Sequence, residues 1–292
     1  MRLFVLILMV VLLSSCQSTG LKIGNLDVGK LLHQGAKVWD ASTIDQEKEI
    51  QLGQNVSSVL LGVRPLHSNQ SINLYVNHVG NWLALHSSRP DIPWHFGVID
   101  SDSINAFAAP GGYVFITSAL LMQLNSEAEL AAVLAHEISH VTASHHLDAL
   151  KGDTYRTALT EAIFVSADAY QANTNRDQRE RNYTQWARQV THLAQELYSN
   201  GLDREQELAA DEGGIKILAR AGYDPYAFLS CLQVIESITP SDASLALFYK
   251  THPTPRERID NLTNTINAME MIDGKLVQQR FQNVMAGKLS FH

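Results

Sequence analysis

The chain has 292 residues, 45% of them hydrophobic, enough to bury a full core in one large domain or two small ones. Its formal net charge is −8, and no block of lysines and arginines interrupts that balance. Both features argue against nucleic acid as a partner.

The N-terminus reads as a targeting segment. Met1 and Arg2 form a short positive region, and Leu3 to Leu13, LFVLILMVVLL, is an apolar run of signal-peptide length, too short to span a bilayer comfortably. LSSC follows, ending at Cys16, and resembles a bacterial lipoprotein signal in which that cysteine becomes the lipidated first residue. The other reading is an ordinary cleaved signal with an incidental cysteine. Gln17 rather than Asp comes next, and the resemblance then implies the outer membrane, periplasmic face. The expected division is 1–15 signal peptide, 16–43 lipid-anchored tether and 44–292 catalytic domain. With Cys16 lipidated, Cys231 has no partner for a disulfide, and its apolar setting FLSCLQVI predicts a buried, inert thiol.

Beyond the tether, Ser42 to Leu61 and Ser71 to Ser87 carry helical stripes. Trp94 to Asp100 reads as a strand. NAFAAP, from Asn105, is extended and joins the strand YVFIT through a turn at Gly111-Gly112. Pro110 suits an edge position. Ser126 with Glu129 forms a capping box, and the helix it starts is apolar nearly all round, the mark of a buried central helix. Residues 152–200 turn polar, and the pattern predicts a helix, a charged solvated stretch at 173–185 and a helix restarting near Tyr183. Asp203 caps a helix that Gly222 ends, Asp224-Pro225 opens the next, and THPTPRERI leads into a last amphipathic helix. The fold expected is α+β: one mainly helical domain with a small sheet.

The central helix carries HEISH, His136 to His140. Residues four apart on a helix differ by about 40° in azimuth, so both imidazoles face one way, one turn apart. Such a pair can take adjacent corners of a zinc tetrahedron. Glu137 projects beside them, placed to take a proton from water activated by the metal without being a ligand. An ionised glutamate on an apolar helix is costly unless something positive pairs with it.

The third ligand is a choice. His146 gives H-E-x-x-H-x-x-A-x-x-H, which nearly matches the metzincin pattern, but Ala143 stands where that pattern has glycine. VTAS holds no Gly or Pro, so the helix is expected to run on, carrying His145 and His146 out of reach as helix-end surface or dipole-stabilised residues. Glu207 and Asp211, in ELAAD, share one face of a helix, with Ala209 and Ala210 small enough for close packing. Glu207 could supply an oxygen ligand and Asp211 could accept an imidazole N–H, fixing its tautomer. Glu205 remains an alternative, but it lies on the far side of the helix, so only one of the two faces inward.

H-E-x-x-H with a later E-x-x-x-D, preceded by NAFAAPGGYVFIT and followed by THPTPRERI, resembles the M48 gluzincin metallopeptidases. The resemblance spans about Gln46 to Leu262. It implies one zinc ion per chain on His136, His140 and Glu207, Glu137 as general base and acid, and Asp211 behind the ligands. It implies that Asn105, Ala106, Phe107 and Ala108 lie on an edge strand bordering the site, on which substrate rests. It also brings His252 near the metal, as oxyanion stabiliser or fourth ligand, and Arg258 near the site; either could offset charge growing on a carbonyl oxygen. The activity implied is endopeptidase cleavage of unfolded or extended envelope proteins, with a lipid anchor as the membrane contact. A factor of another class, a lipid-anchored chaperone-like protein with a latent four-ligand zinc site, is the rival.

Overall fold

The computed structural model describes residues 22–23, 26–27, 44–149, 201–238, 243–269 and 274–286. The expected signal peptide, Cys16, and the helix, charged stretch and helix of 152–200 lie outside these residues. The chain falls into two compact units: 1–43 with 167–181, and 44–166 with 182–292. Of the first unit, β1 (Lys22–Ile23) and β2 (Leu26–Asp27) are described; they pair antiparallel in a segment expected only as a tether.

In the second unit, α1 (Gln46–Val63) starts where the Asp45 carboxylate accepts the Lys48 N–H at 3.0 Å. α2 (Gln70–Ala84) is capped by Asn69, whose side chain accepts from Ser71 and Ile72. Ile72, Val76, Val79 and Leu83 form its buried stripe. β3 (His95–Ile99), β4 (Ala106–Ala109) and β5 (Tyr113–Thr117) follow. β5 is central, parallel to β3 and antiparallel to β4, so β4 is an outer strand of this three-stranded sheet. The β4–β5 connection is a short turn, Pro110–Gly112, with φ of 73° at Gly111 and 96° at Gly112. Left-handed backbone there is the reason for the glycine pair.

α3 (Ser118–Gln123) leads into α4 (Glu127–Thr142), α5 (His145–Ala149), α6 (Arg204–Arg220), α7 (Tyr226–Ser237), α8 (Ala246–Thr251), α9 (Pro255–Asn267) and α10 (Gln278–Met285). The α+β class read from the sequence is the one found, and α4 is the buried central helix. Ala128, Leu130, Ala131, Leu134, Ala135 and Ile138 on it have no exposed surface. Its first turn is anchored by Glu127, a fully buried carboxylate that accepts from Tyr75 and Tyr223 at 2.7 Å each and from Arg280 of α10. Burial alone would raise the pKa of Glu127. Those three donors more than offset it and hold the group below its usual range.

One half-buried ion pair fixes the turn before the site. Glu49 of α1 lies 4% exposed, and its carboxylate accepts from Arg89 at 3.0 and 2.8 Å and from the Gly111 N–H at 3.1 Å. Glu49 thereby ties α1 to the β4–β5 turn. Packing is closest at Gly53, where an added Cβ would lie 1.7 Å from the Pro110 carbonyl oxygen. Gly53→Ala is therefore expected to destabilise by about 1–3 kcal/mol despite the better helix propensity of alanine. Gly62→Ala on the same helix meets nothing within 4 Å and should stabilise by up to about 1 kcal/mol. Urea unfolding of the two variants checks the opposite signs.

Candidate active site

α4 begins at Ser126, whose hydroxyl accepts the Glu129 N–H at 3.2 Å. The reciprocal half of the expected capping box is displaced by one residue, because Glu129 accepts from the Asn125 N–H at 2.7 Å. Two turns further on, His136, Glu137 and His140 are 4%, 3% and 1% exposed.

α6 runs along α4. Glu207 and Asp211 face inward, 1% and 0% exposed, while Glu205 is exposed. Ala210 is buried at the contact, but Ala209 faces solvent. The close approach depends on Gly213 and Gly214 instead. A Cβ on Gly213 would sit 2.1 Å from Ser139 Oγ, and one on Gly214 would sit 3.0 Å from the backbone nitrogen of His136. The DEGG spacing holds this signal; a small residue one turn beyond the paired carboxylates is what lets the helices touch.

Four side chains converge. His136 Nε2 and His140 Nε2 are 3.0 Å apart. Glu207 places Oε1 3.4 Å from His140 Nε2 and Oε2 3.7 Å from His136 Nε2. His252, from the end of α8, places Nδ1 2.7 Å from Glu207 Oε2. Donor atoms of His136, Glu207 and His252 all lie within 4.8 Å of one another. Bonds of about 2.0–2.1 Å in a tetrahedron give edges of about 3.4 Å, so the spacing of the two Nε2 atoms and the Glu207 oxygens suits zinc.

The outer faces of the rings are held too. His136 Nδ1 lies 2.8 Å from Asp211 Oδ1, and Asp211 in turn takes two hydrogen bonds from Arg258 of α9, at 2.9 and 2.5 Å. Arg258 Nη2 also lies 3.2 Å from His136 Nδ1, but it is permanently charged and only donates, so the Nδ1 proton goes to Asp211 and Nε2 is the nitrogen that faces the cluster. Arg258, which the family resemblance puts near the site, holds Asp211 and lines the cavity beside Glu137. On the other ring, His140 Nδ1 lies 2.9 Å from His145 Nδ1.

That last contact corrects the expectation that α4 runs on past Thr142. Ala143 closes the helix, Ser144 takes left-handed backbone at φ 59°, and α5 starts at His145. Serine bears the strain that a glycine would relieve. His145 and His146 are thus buried, each 7% exposed, rather than on the surface. The His146 ring lies 5.5 Å from that of His140, and its Nδ1 has no hydrogen-bond partner among the described residues.

Electrostatics favour a cation. Burial and Arg258 oppose a proton on His136, but Asp211 and Glu207 win and raise its pKa to about 9. Burial would neutralise Glu207, yet His252, His136 and His140 hold it ionised far below the usual range. Burial pushes Glu137 upward and pushes Cys231 up to about 12, an inert thiol as expected. A cavity of about 30 Å³ adjoins Glu137, lined by Ala106, Phe228, Cys231, Leu232 and Phe248. Of the four strand residues expected at the site, Ala106 lines this cavity. Ala108 and Asn105 are buried, and Phe107 packs on Phe115 at 5.8 Å between ring centres.

A helix bearing H-E-x-x-H, crossed by a second helix that delivers a glutamate, places the chain among metallopeptidases of the gluzincin type. It belongs to peptidase family M48, whose sequence model matches residues 70–266. The chain is similar to the beta-barrel assembly-enhancing protease of Escherichia coli K12, 31% identical over 233 residues, 78% of this chain and 46% of that protein. It is 28% identical over 202 residues to the mitochondrial metalloendopeptidase OMA1 of Schizosaccharomyces pombe, 68% of this chain and 54% of that one. The chain thus spans about half the length of the curated relatives it matches.

A proton on His136 competes with any metal. Zinc affinity is accordingly expected to fall as pH drops below about 9, by on the order of tenfold per unit while one proton is displaced. Chelator competition between about pH 9 and pH 6 measures it; an affinity flat across that range contradicts the arrangement.

Proposed function

We propose that this chain is a zinc-dependent endopeptidase that hydrolyses peptide bonds of unfolded or misassembled envelope proteins. The observation that carries the reading is the convergence of His136, His140 and Glu207 beside a buried Glu137. On this reading those three residues hold one zinc ion per chain, and Asp211 and Arg258 orient His136. When bound, the ion supplies Lewis-acid character, acidifying water and polarising a carbonyl.

The chain's own groups do the rest. The Glu137 carboxylate accepts the proton of the attacking water and passes it to the leaving amine nitrogen. Its raised pKa suits both roles. Outer strand β4, with Asn105 just before it and Ala106 to Ala108 on it, offers backbone along which an extended peptide lies, with little dependence on side-chain identity. We assign residues 1–15 to a signal peptide, 16–43 to a tether lipidated at Cys16 on the periplasmic face of the outer membrane, and 44–292 to the peptidase domain. Support comes from the lipoprotein-like LSSC sequence and, for substrates, from the name of the relative that enhances β-barrel assembly.

A second reading has one observation in its favour. His252 converges with His136 and Glu207, and a four-residue shell is structural in character. The protein is then a lipid-anchored binding factor with a latent site. Glu137 discriminates, because a structural site has no use for it. Glu137→Gln should retain zinc and lose casein cleavage by about 10²–10⁴-fold. A variant that keeps its cleavage rate sinks the peptidase reading. If His252 closes the site, His252→Ala should raise the cleavage rate; a sharp fall would make it an assistant at the reacting oxygen, and an unchanged rate would remove it from the site.

A further inference from the structure

We propose that His145 is a positioning residue for the metal site, accepting the Nδ1 proton of His140 and thereby keeping His140 Nε2 free for the metal. The inference rests on the reading of His140 as a ligand and extends it to a residue that the motif does not include.

The two Nδ1 atoms are 2.9 Å apart in the interior. Between neutral imidazoles, one nitrogen must donate and the other accept. If His145 donates, the proton of His140 moves to Nε2 and closes the lone pair that faces Glu207. If His140 donates, Nε2 points its lone pair at the cluster, and His145 carries its own proton on Nε2. Only the second arrangement lets His140 bind a cation, so metal binding selects one tautomer of two rings together.

The backbone makes this contact rather than chance. An uninterrupted helix would carry residue 145 away from residue 140, since five residues amount to about 500° of rotation. The chain instead turns at Ser144, with φ of 59°, and the Ser144 N–H donates to the Val141 carbonyl at 3.1 Å. Left-handed backbone at a serine is strained, and such strain concentrates where the fold needs a particular placement. His146 then lies edge-on to His140, with rings 5.5 Å apart and planes at 61°, which restricts rotation of the ligand ring from another side.

Charge explains why the acceptor is an imidazole and not a second carboxylate. His136 donates to Asp211, but Asp211 is neutralised by Arg258. No comparable cation faces His140 among the described residues, so a neutral acceptor there adds no uncompensated buried charge.

Zinc dissociation constants of the full chain, measured by chelator competition, test the proposal through His145→Leu and His145→Asn. Asparagine Oδ1 is as many bonds from the backbone as histidine Nδ1 and can accept the same proton. The leucine variant should bind zinc about 10–100-fold more weakly, and the asparagine variant should recover to within about threefold of the native chain. Leucine binding as tightly as the native residue, or asparagine binding as weakly as leucine with both variants folded by circular dichroism, overturns it. If neither variant folds, ¹⁵N chemical shifts of the zinc-loaded native protein decide. They should show His145 protonated on Nε2 and bare on Nδ1, and the opposite tautomer overturns the proposal. A native chain that binds no zinc defeats the ligand reading itself, an outcome distinct from either failure.

Discussion

Two imidazole lone pairs and an ionised carboxylate are held together inside an apolar interior. That constraint organises the structure. Nitrogens 3.0 Å apart with a glutamate oxygen 3.4 Å away repel or desolvate one another unless a proton or metal sits among them. The protein does not let them relax. Asp211 fixes one ring from behind, Arg258 neutralises Asp211, and the turn at Ser144 sets His145 behind the other ring. A divalent cation removes the conflict by taking the lone pairs and the charge at once.

The fold serves this convergence by letting two helices approach unusually closely. α4 is buried on nearly every face and cannot shift without exposing core. α6 meets it through Ala210, Gly213 and Gly214, and so lays Glu207 and Asp211 across the histidines. α9 brings Arg258 only because Pro255 and the Thr254 cap start that helix immediately after the extended His252. The Glu49–Arg89 pair does the same for the sheet, holding the Gly111 turn and with it strand β4. Each of these polar interactions sets the place of a chain segment that touches the site.

Local signals are legible in the sequence. The stripes, the Ser126 cap, the paired glycines and the prolines locate the helices and strands nearly to their ends, because those features depend on neighbours a few residues apart. H-E-x-x-H and E-x-x-x-D can be read for the same reason: helical spacing puts each pair on one face. The rest needs three dimensions. The Ser144 turn escapes a sequence reading because serine rarely takes left-handed backbone, and only packing of the following segment holds it there. Without that turn, His145 and His146 fall on the surface. Ala209 looks like a contact residue, although helix phase puts Gly213 and Gly214 against α4. The tie made by Glu49 is invisible in the sequence, since its partners Arg89 and Gly111 lie 40 and 62 residues away. Arg258 is located near the site by its motif, but its commitment to Asp211 is a property of helix packing.

Zinc-edge X-ray absorption on the purified full chain tests the central claim most directly. The account predicts one zinc per chain in a shell of nitrogen and oxygen at about 2.0–2.1 Å, with the multiple-scattering signature of at least two imidazoles. A shell containing sulfur near about 2.3 Å, or a chain that arrives without zinc and takes none up, would contradict it.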